Sequence, residues 1–192
     1  MGSAKLLRSV GGAASLGRIM AATEQDLFAL LDRLGVETET ARHAPVFTVE
    51  EARAHRVVLP GTHTKNLFLK DKKGQLWLVV TVENRAINLK DLRRRIGAAP
   101  LSFARPEVLR DALGVEPGSV TPFAAINDRS GQVRVVLDAD MMEGVRLNFH
   151  PLTNTATTGI APAGLLAFLG ACGHSPLVVP LAAGEAPGAG ER

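Results

Sequence analysis

Gly61-Thr-His-Thr-Lys-Asn-Leu-Phe-Leu-Lys-Asp-Lys-Lys-Gly-Gln-Leu-Trp-Leu-Val-Val-Thr-Val82 reads as a β-hairpin that carries a site. Side chains alternate between the faces of a strand, so Lys65 shares one face with Leu67 and Leu69, and Asn66, Phe68 and Lys70 share the other. The run Leu76 to Val82 is almost wholly apolar, which predicts a strand covered on both faces, and Lys72-Lys73-Gly74 supplies the turn between the two. An amine on an apolar face must find an anion, line a wet pocket or lose its proton. If Lys65 instead sits at the frayed start of its strand, the stem lies along apolar surface and the ammonium reaches water.

Working outward, 192 residues are enough for one well-buried domain and too few for two of ordinary size. A hydrophobic content of 46% with 21% charged residues is that of a globular protein, and no apolar run approaches a membrane span. Cys172 is the single cysteine, so no internal disulfide forms. His43, His55, His63, His150 and His174 are scattered without zinc-ligand spacing, so neither metal nor other cofactor is expected. The formal charge of +3 permits a polyanionic partner without demanding one.

Residues 1–20 carry Lys5, Arg8 and Arg18 and no acid, the pattern of a mitochondrial presequence or of a flexible extension. The expected organisation is therefore a flexible extension over 1–22, one folded domain over 23–181 and a mobile Gly/Ala/Pro tail over 182–192. Thr23 with Asp26 forms a capping box for a helix bearing Leu27, Leu30, Leu31 and Leu34 and closed by Gly35. Val36 to His43 alternates like an exposed strand, and Thr48 starts a second short helix. Asn88 caps a helix over Leu89 to Ile96, ended by Gly97, and Pro106 opens another that runs to about Leu113. Arg93-Arg94-Arg95 fan around their helix, either as a solvated face or as contacts to a phosphate backbone.

Val115 to Pro122 is a loop of turn formers, followed by an expected strand over Phe123 to Ile126. Further strands over Val133 to Leu137 and Val145 to Phe149, with Thr155 to Ile160 behind them, have the spacing of a meander, and a last helix begins near Pro162. Helices interspersed among hairpins make the fold class α+β, with a curved, mixed sheet.

No nucleophile elbow, P-loop or dinucleotide fingerprint is present. Cys172 sits at the end of an apolar helix, where a structural thiol is expected. His150 lies between a strand end and Pro151, where it could exchange a proton, stack on a base or serve as a satisfied structural group; the turn holding His63 reads as exposed. Three motifs, Thr64 to Leu69, Gly118-Ser-Val-Thr-Pro122 and Asn148-Phe-His-Pro-Leu-Thr-Asn-Thr155, taken in this order, resemble the YbaK/prolyl-tRNA-synthetase-associated editing domain family. The resemblance covers roughly Thr23 to Leu181 and is closest to its free-standing Ala-tRNA(Pro) deacylases.

That resemblance implies a single-domain, barrel-like, mostly antiparallel sheet flanked by helices. It also implies hydrolysis of the ester joining a wrong amino acid to the terminal adenosine of tRNA(Pro), without a metal. Lys65 matches the family's key lysine, Asn66 its neighbour, Gly118 to Pro122 its loop and His150 its histidine; Gly118, Ser119 and Pro122 are then expected to hold substrate. Lys65 would stabilise the oxyanion or the 3′ phosphodiester, and the base would be the substrate's 2′-OH or His150. Phe47 and Phe68 are the expected walls that reject proline, and Arg93, Arg94, Arg95, Lys70, Lys72 and Lys73 the expected RNA contacts. The expected partners are alanine-charged tRNA(Pro) and prolyl-tRNA synthetase, with no DNA and no membrane. The expected location is the cytoplasm, or the mitochondrion if residues 1–20 are a presequence. Editing of another mischarged tRNA, such as Cys-tRNA(Pro), and a non-catalytic tRNA-binding module are the rival readings.

Overall fold

A computed structural model describes residues 20–44 and 59–182. Phe47, the short helix expected from Thr48, residues 1–19 of the expected extension and residues 183–192 of the expected tail lie outside the described residues.

The first helix, α1 (Glu24–Arg33), starts at the Thr23 capping box, in which the Thr23 hydroxyl accepts from the Asp26 amide and the Asp26 carboxylate accepts from the Thr23 amide. Strand β1 (Thr38–Arg42) follows, then β2 (Thr62–Asp71) and β3 (Leu76–Val82), the arms of the hairpin. Asp71 shapes the turn: its carboxylate accepts from the amides of Lys73 at 2.9 Å, Gln75 at 3.0 Å and Ala99 at 3.3 Å. Helix α2 (Leu89–Ile96) is capped by the Asn88 side chain and ended by Gly97 in the left-handed region. Next come β4 (Leu101–Phe103), α3 (Pro106–Leu113), β5 (Val133–Asp138), α4 (Ala139–Met142), β6 (Leu147–Phe149), β7 (Ala156–Ile160), α5 (Pro162–Ala171) and β8 (Leu177–Val179).

The strands form one mixed sheet in the order β1-β7-β6-β2-β3-β5-β8, with β4 beside β2. Four pairings are antiparallel and three, β2·β6, β3·β5 and β5·β8, are parallel. The expected meander is corrected by this topology: of β5, β6 and β7 only β6 and β7 are neighbours, because crossovers return β5 to β3 and β6 to β2. On one edge β2 pairs in turn with β6, through Thr62 and His63, and with β4, through Leu69 to Asp71. The edge strand β8 lies between Pro176 and Pro180 and exposes Leu177 and Val178.

The expectation that β3 is covered on both sides holds. Leu78 and Val80 join the larger core with Phe68, Val135, Leu137, α1, α3 and α5, while Trp77 and Val79 join a smaller one with Leu69, Val136 and the Leu92 and Ile96 side chains of α2. The expected strand over Phe123 to Ile126 is instead a 3-10 helix, Pro122–Asn127. Proline fixes the first φ, the Thr121 hydroxyl accepts from the Phe123 amide, and consecutive Phe123, Ala124 and Ala125 are all buried, a pattern that short apolar runs share with strands. The strand expected from Val145 is confined to β6, with Val145 exposed, and a short helix, α4, fills the stretch after β5.

Candidate active site

The first residues of β2 are where the three motifs meet. The Thr64 hydroxyl donates to the Asn148 carbonyl at 2.8 Å, and the Asn66 amide nitrogen donates to the Val120 carbonyl at 2.9 Å. Thr64 and Asn66 point to the same face of β2, so one strand face fastens both the glycine loop and the segment leading to His150. With its nitrogen so engaged, Asn66 keeps a buried side-chain oxygen that has no hydrogen-bond partner among the described residues, and the same is true of Asn148, whose nitrogen donates to the Leu59 carbonyl at 3.3 Å. Such acceptors are costly unless something donates to them. A Cβ at Gly159, opposite Asn148 in the register, would sit 2.6 Å from Arg146 Cδ and 3.0 Å from Asn148 Oδ1, so glycine there leaves the amide its room.

In the loop itself, Gly118 adopts φ +90 with nothing within 4 Å of a Cβ built there, so backbone conformation rather than space requires glycine. Gly118 is exposed, while Ser119 and Pro122 are buried, and Phe68 is buried in the larger core.

Lys65 projects from the opposite face of β2, the face of Leu67 and Leu69, and lies opposite Thr81 of β3. It sits within the strand, half-buried, with its ammonium donating to the Arg85 carbonyl. Its amine therefore neither waves in solvent nor lies in the core.

His150 follows β6 and is half-buried, its Nδ1 bonded to the Ala156 carbonyl at 2.9 Å. A carbonyl only accepts, so Nδ1 carries the hydrogen and Nε2 keeps a lone pair in the neutral ring. Burial pushes the His150 pKa below its ordinary value, the Ala156 carbonyl opposes that, and His43 adds to the lowering. The His43 ring lies 6.2 Å from that of His150 and bonds the Ala44 carbonyl at 2.9 Å and the Thr157 hydroxyl at 3.0 Å. Sequence reasoning gave His43 no role, since only the register of β1 on β7 brings the two rings together. His63 is a half-buried strand residue paired with Asn148, not part of an exposed turn.

The basic residues divide. Helix α2 packs Leu92 and Ile96 on the sheet face that carries Lys65, so the helix bearing Arg93, Arg94 and Arg95 lies on that side of the sheet. Arg93 is half-buried, Arg94 pairs with Asp91 at 3.3 Å and Arg95 donates to the Pro180 carbonyl at 2.9 Å. Lys70, Lys72 and Lys73 are exposed at the hairpin tip, about 20 Å along the strand from Lys65. Arg134, unmarked by the sequence reading, lies there too, 5.4 Å over the Trp77 ring. Burial pushes the Cys172 thiol up to about 11, which keeps it protonated and unreactive. Among the described residues no helix is long and apolar enough to cross a membrane, and no three His, Cys, Asp or Glu side chains gather as a metal site.

Comparison with known proteins adds the family. The model described as the aminoacyl-tRNA editing domain matches residues 43–168. The Xenopus laevis prolyl-tRNA synthetase associated domain-containing protein 1 is 44% identical over 160 residues, 81% of this chain and 95% of its own. The prolyl-tRNA editing protein ProX of Acetoanaerobium sticklandii is 37% identical over 135 residues, 70% of this chain and 82% of its own. A solved structure described as a candidate trans-editing enzyme for prolyl tRNA synthetase superposes with a TM-score of 0.65 at 23% identity, over 84% of this chain and 97% of that one, which shows the shared fold.

Proposed function

The chain belongs to the aminoacyl-tRNA editing domain family, and from that premise we propose that it is a free-standing deacylase that hydrolyses alanine from tRNA(Pro), working in trans beside prolyl-tRNA synthetase. The observation that carries the reading is the double tether of β2, Thr64 to the Asn148 carbonyl and Asn66 to the Val120 carbonyl, at the strand end from whose other face Lys65 projects. Water attack on an aminoacyl ester builds a tetrahedral oxyanion, and fixed positive charge and N–H dipoles lower that barrier most. Lys65 supplies the charge, and the exposed backbone at Gly118 allows the terminal ribose or the carbonyl oxygen to approach closely.

His150 is the base that deprotonates the attacking water. Its Nδ1 hydrogen bond leaves Nε2 as acceptor, and its lowered pKa keeps the ring neutral at pH 7. The sign follows: a base of lowered pKa stays active to more acid pH than an ordinary imidazole. The acid limb of the single-turnover rate is therefore expected below about pH 6.5, and His150→Ala is expected to lose about 100-fold or more in the bound-state rate. An acid limb at or above that pH, or a variant that loses only tRNA affinity, would return the proton transfer to the substrate's 2′-OH.

Alanine is smaller than proline, and a pocket distinguishes one methylene by only about 1–3 kcal/mol of favourable binding, so steric exclusion must protect the correct product. Deacylation rates across Ala-, Cys-, Ser- and Pro-tRNA(Pro) test this directly. The expected order places alanine first and leaves Pro-tRNA(Pro) intact. Faster turnover of the cysteinyl substrate would reassign the substrate, and tight binding of charged tRNA with no turnover would make the chain a binding module.

A further inference from the structure

Lys65, Thr81 and Asp138 occupy matching register positions on β2, β3 and β5: Lys65 lies opposite Thr81, and Thr81 falls next after the Val80–Leu137 pair. All three point to the face bearing α2, where they form a polar row at the end of the smaller core. Asp138 is fully buried. A buried carboxylate is tolerated only when its oxygens are satisfied, and these accept from the Thr81 hydroxyl at 2.5 Å, the Leu181 amide at 3.2 Å and Arg85 Nε at 3.1 Å. Arg85, on the loop leaving β3, also pairs through Nη2 with Asp140 at 2.7 Å, so two carboxylates hold its guanidinium from β5 and α4. Its own backbone carbonyl then receives the Lys65 ammonium.

We propose that Arg85 and Asp138 are positioning residues for Lys65: the ion pair pins the loop after β3, and the pinned Arg85 carbonyl fixes where the Lys65 ammonium stands. This deepens, and rests on, the reading of Lys65 as the charge that stabilises the oxyanion. A long lysine stem is otherwise free to adopt many rotamers, and an amine free to wander stabilises a developing charge poorly. The network supplies preorganisation through a carbonyl dipole at the amine, while the Asp138 carboxylate is itself paired with Arg85. Any residue at position 85 offers a carbonyl; only the arginine side chain anchors it to Asp138 and Asp140 at once.

The experiment uses Arg85→Gln and Asp138→Asn in the full chain, with two readouts. The first is single-turnover deacylation of Ala-tRNA(Pro) across enzyme concentration. Both variants are expected to lose about 10–100-fold in the maximal rate, the cost of ångström-scale misplacement, with the half-saturating concentration unchanged. The second is independent of activity: the ε-carbon-13 resonance of reductively methylated Lys65, identified by its loss in Lys65→Arg. In the parent protein it is expected to stand apart from the envelope of exposed lysines, and in Arg85→Gln to move into that envelope. If it stays in place in both variants, or lies within the envelope from the start, the positioning role is overturned. If it moves as expected while the parent protein turns over no aminoacyl-tRNA, the positioning stands and the editing reading falls. Should Asp138→Asn fail to fold, Arg85→Gln alone decides, since Arg85 keeps part of its side chain in solvent.

Discussion

Lys65→Ala is expected to slow single-turnover hydrolysis of the mischarged tRNA by about 100–1,000-fold, the cost of deleting one preorganised electrostatic group from an oxyanion site. The substitution removes charge and little else. Lys65 belongs to neither core cluster, and its ammonium bonds a backbone carbonyl that is only part-buried. Thermal unfolding should therefore shift by no more than about 0.5 kcal/mol, so that a loss of rate reports chemistry and not folding. Catalysis within a few-fold of the parent would remove Lys65 from the reaction, and with it the argument that the β2 hub is an active site.

The largest effect on stability is expected at Phe123. Its ring is fully buried where the 3-10 helix, β6 and α5 meet, edge-on to Phe149 at 5.7 Å and to Phe168 at 5.4 Å. Phe123→Ala should cost about 3–5 kcal/mol, a drop in Tm of roughly 6–20 °C, measured by calorimetry. The consequence reaches the site, because Phe123 anchors the segment directly after the glycine loop and Phe149 directly precedes His150. At temperatures where the variant is still folded, its deacylation rate should fall as well. A change of less than about 1 kcal/mol would mean that the three elements repack without it.

What was legible in the sequence was local. The alternation of Lys65 to Leu69, the two-sided apolar run of β3, the Thr23–Asp26 box, and Asn88 with Gly97 around α2 are signals carried within a few residues, and each element formed where they placed it. The run Phe123 to Ile126 was ambiguous, since a short apolar stretch lacks a period to read. Strands β4 and β8 are three residues each beside prolines, too short to register as patterns. The motifs of the candidate site were legible, and the contacts among them were not. His43 reaches His150 only through the β1·β7 register, and Arg85 reaches Asp138 only because β5 returns parallel to β3. Contacts created by a crossover leave no trace in local spacing.

The short outer strand between Pro176 and Pro180 has a consequence for the protein in a crowded solution. An open sheet edge is a template on which another chain can add by backbone hydrogen bonding, and Leu177 and Val178 would make the addition sticky. A proline at each end removes a backbone donor and leaves only three residues to pair, too few for a second molecule to grip. At this edge the fold thus leaves little backbone on which another chain could add.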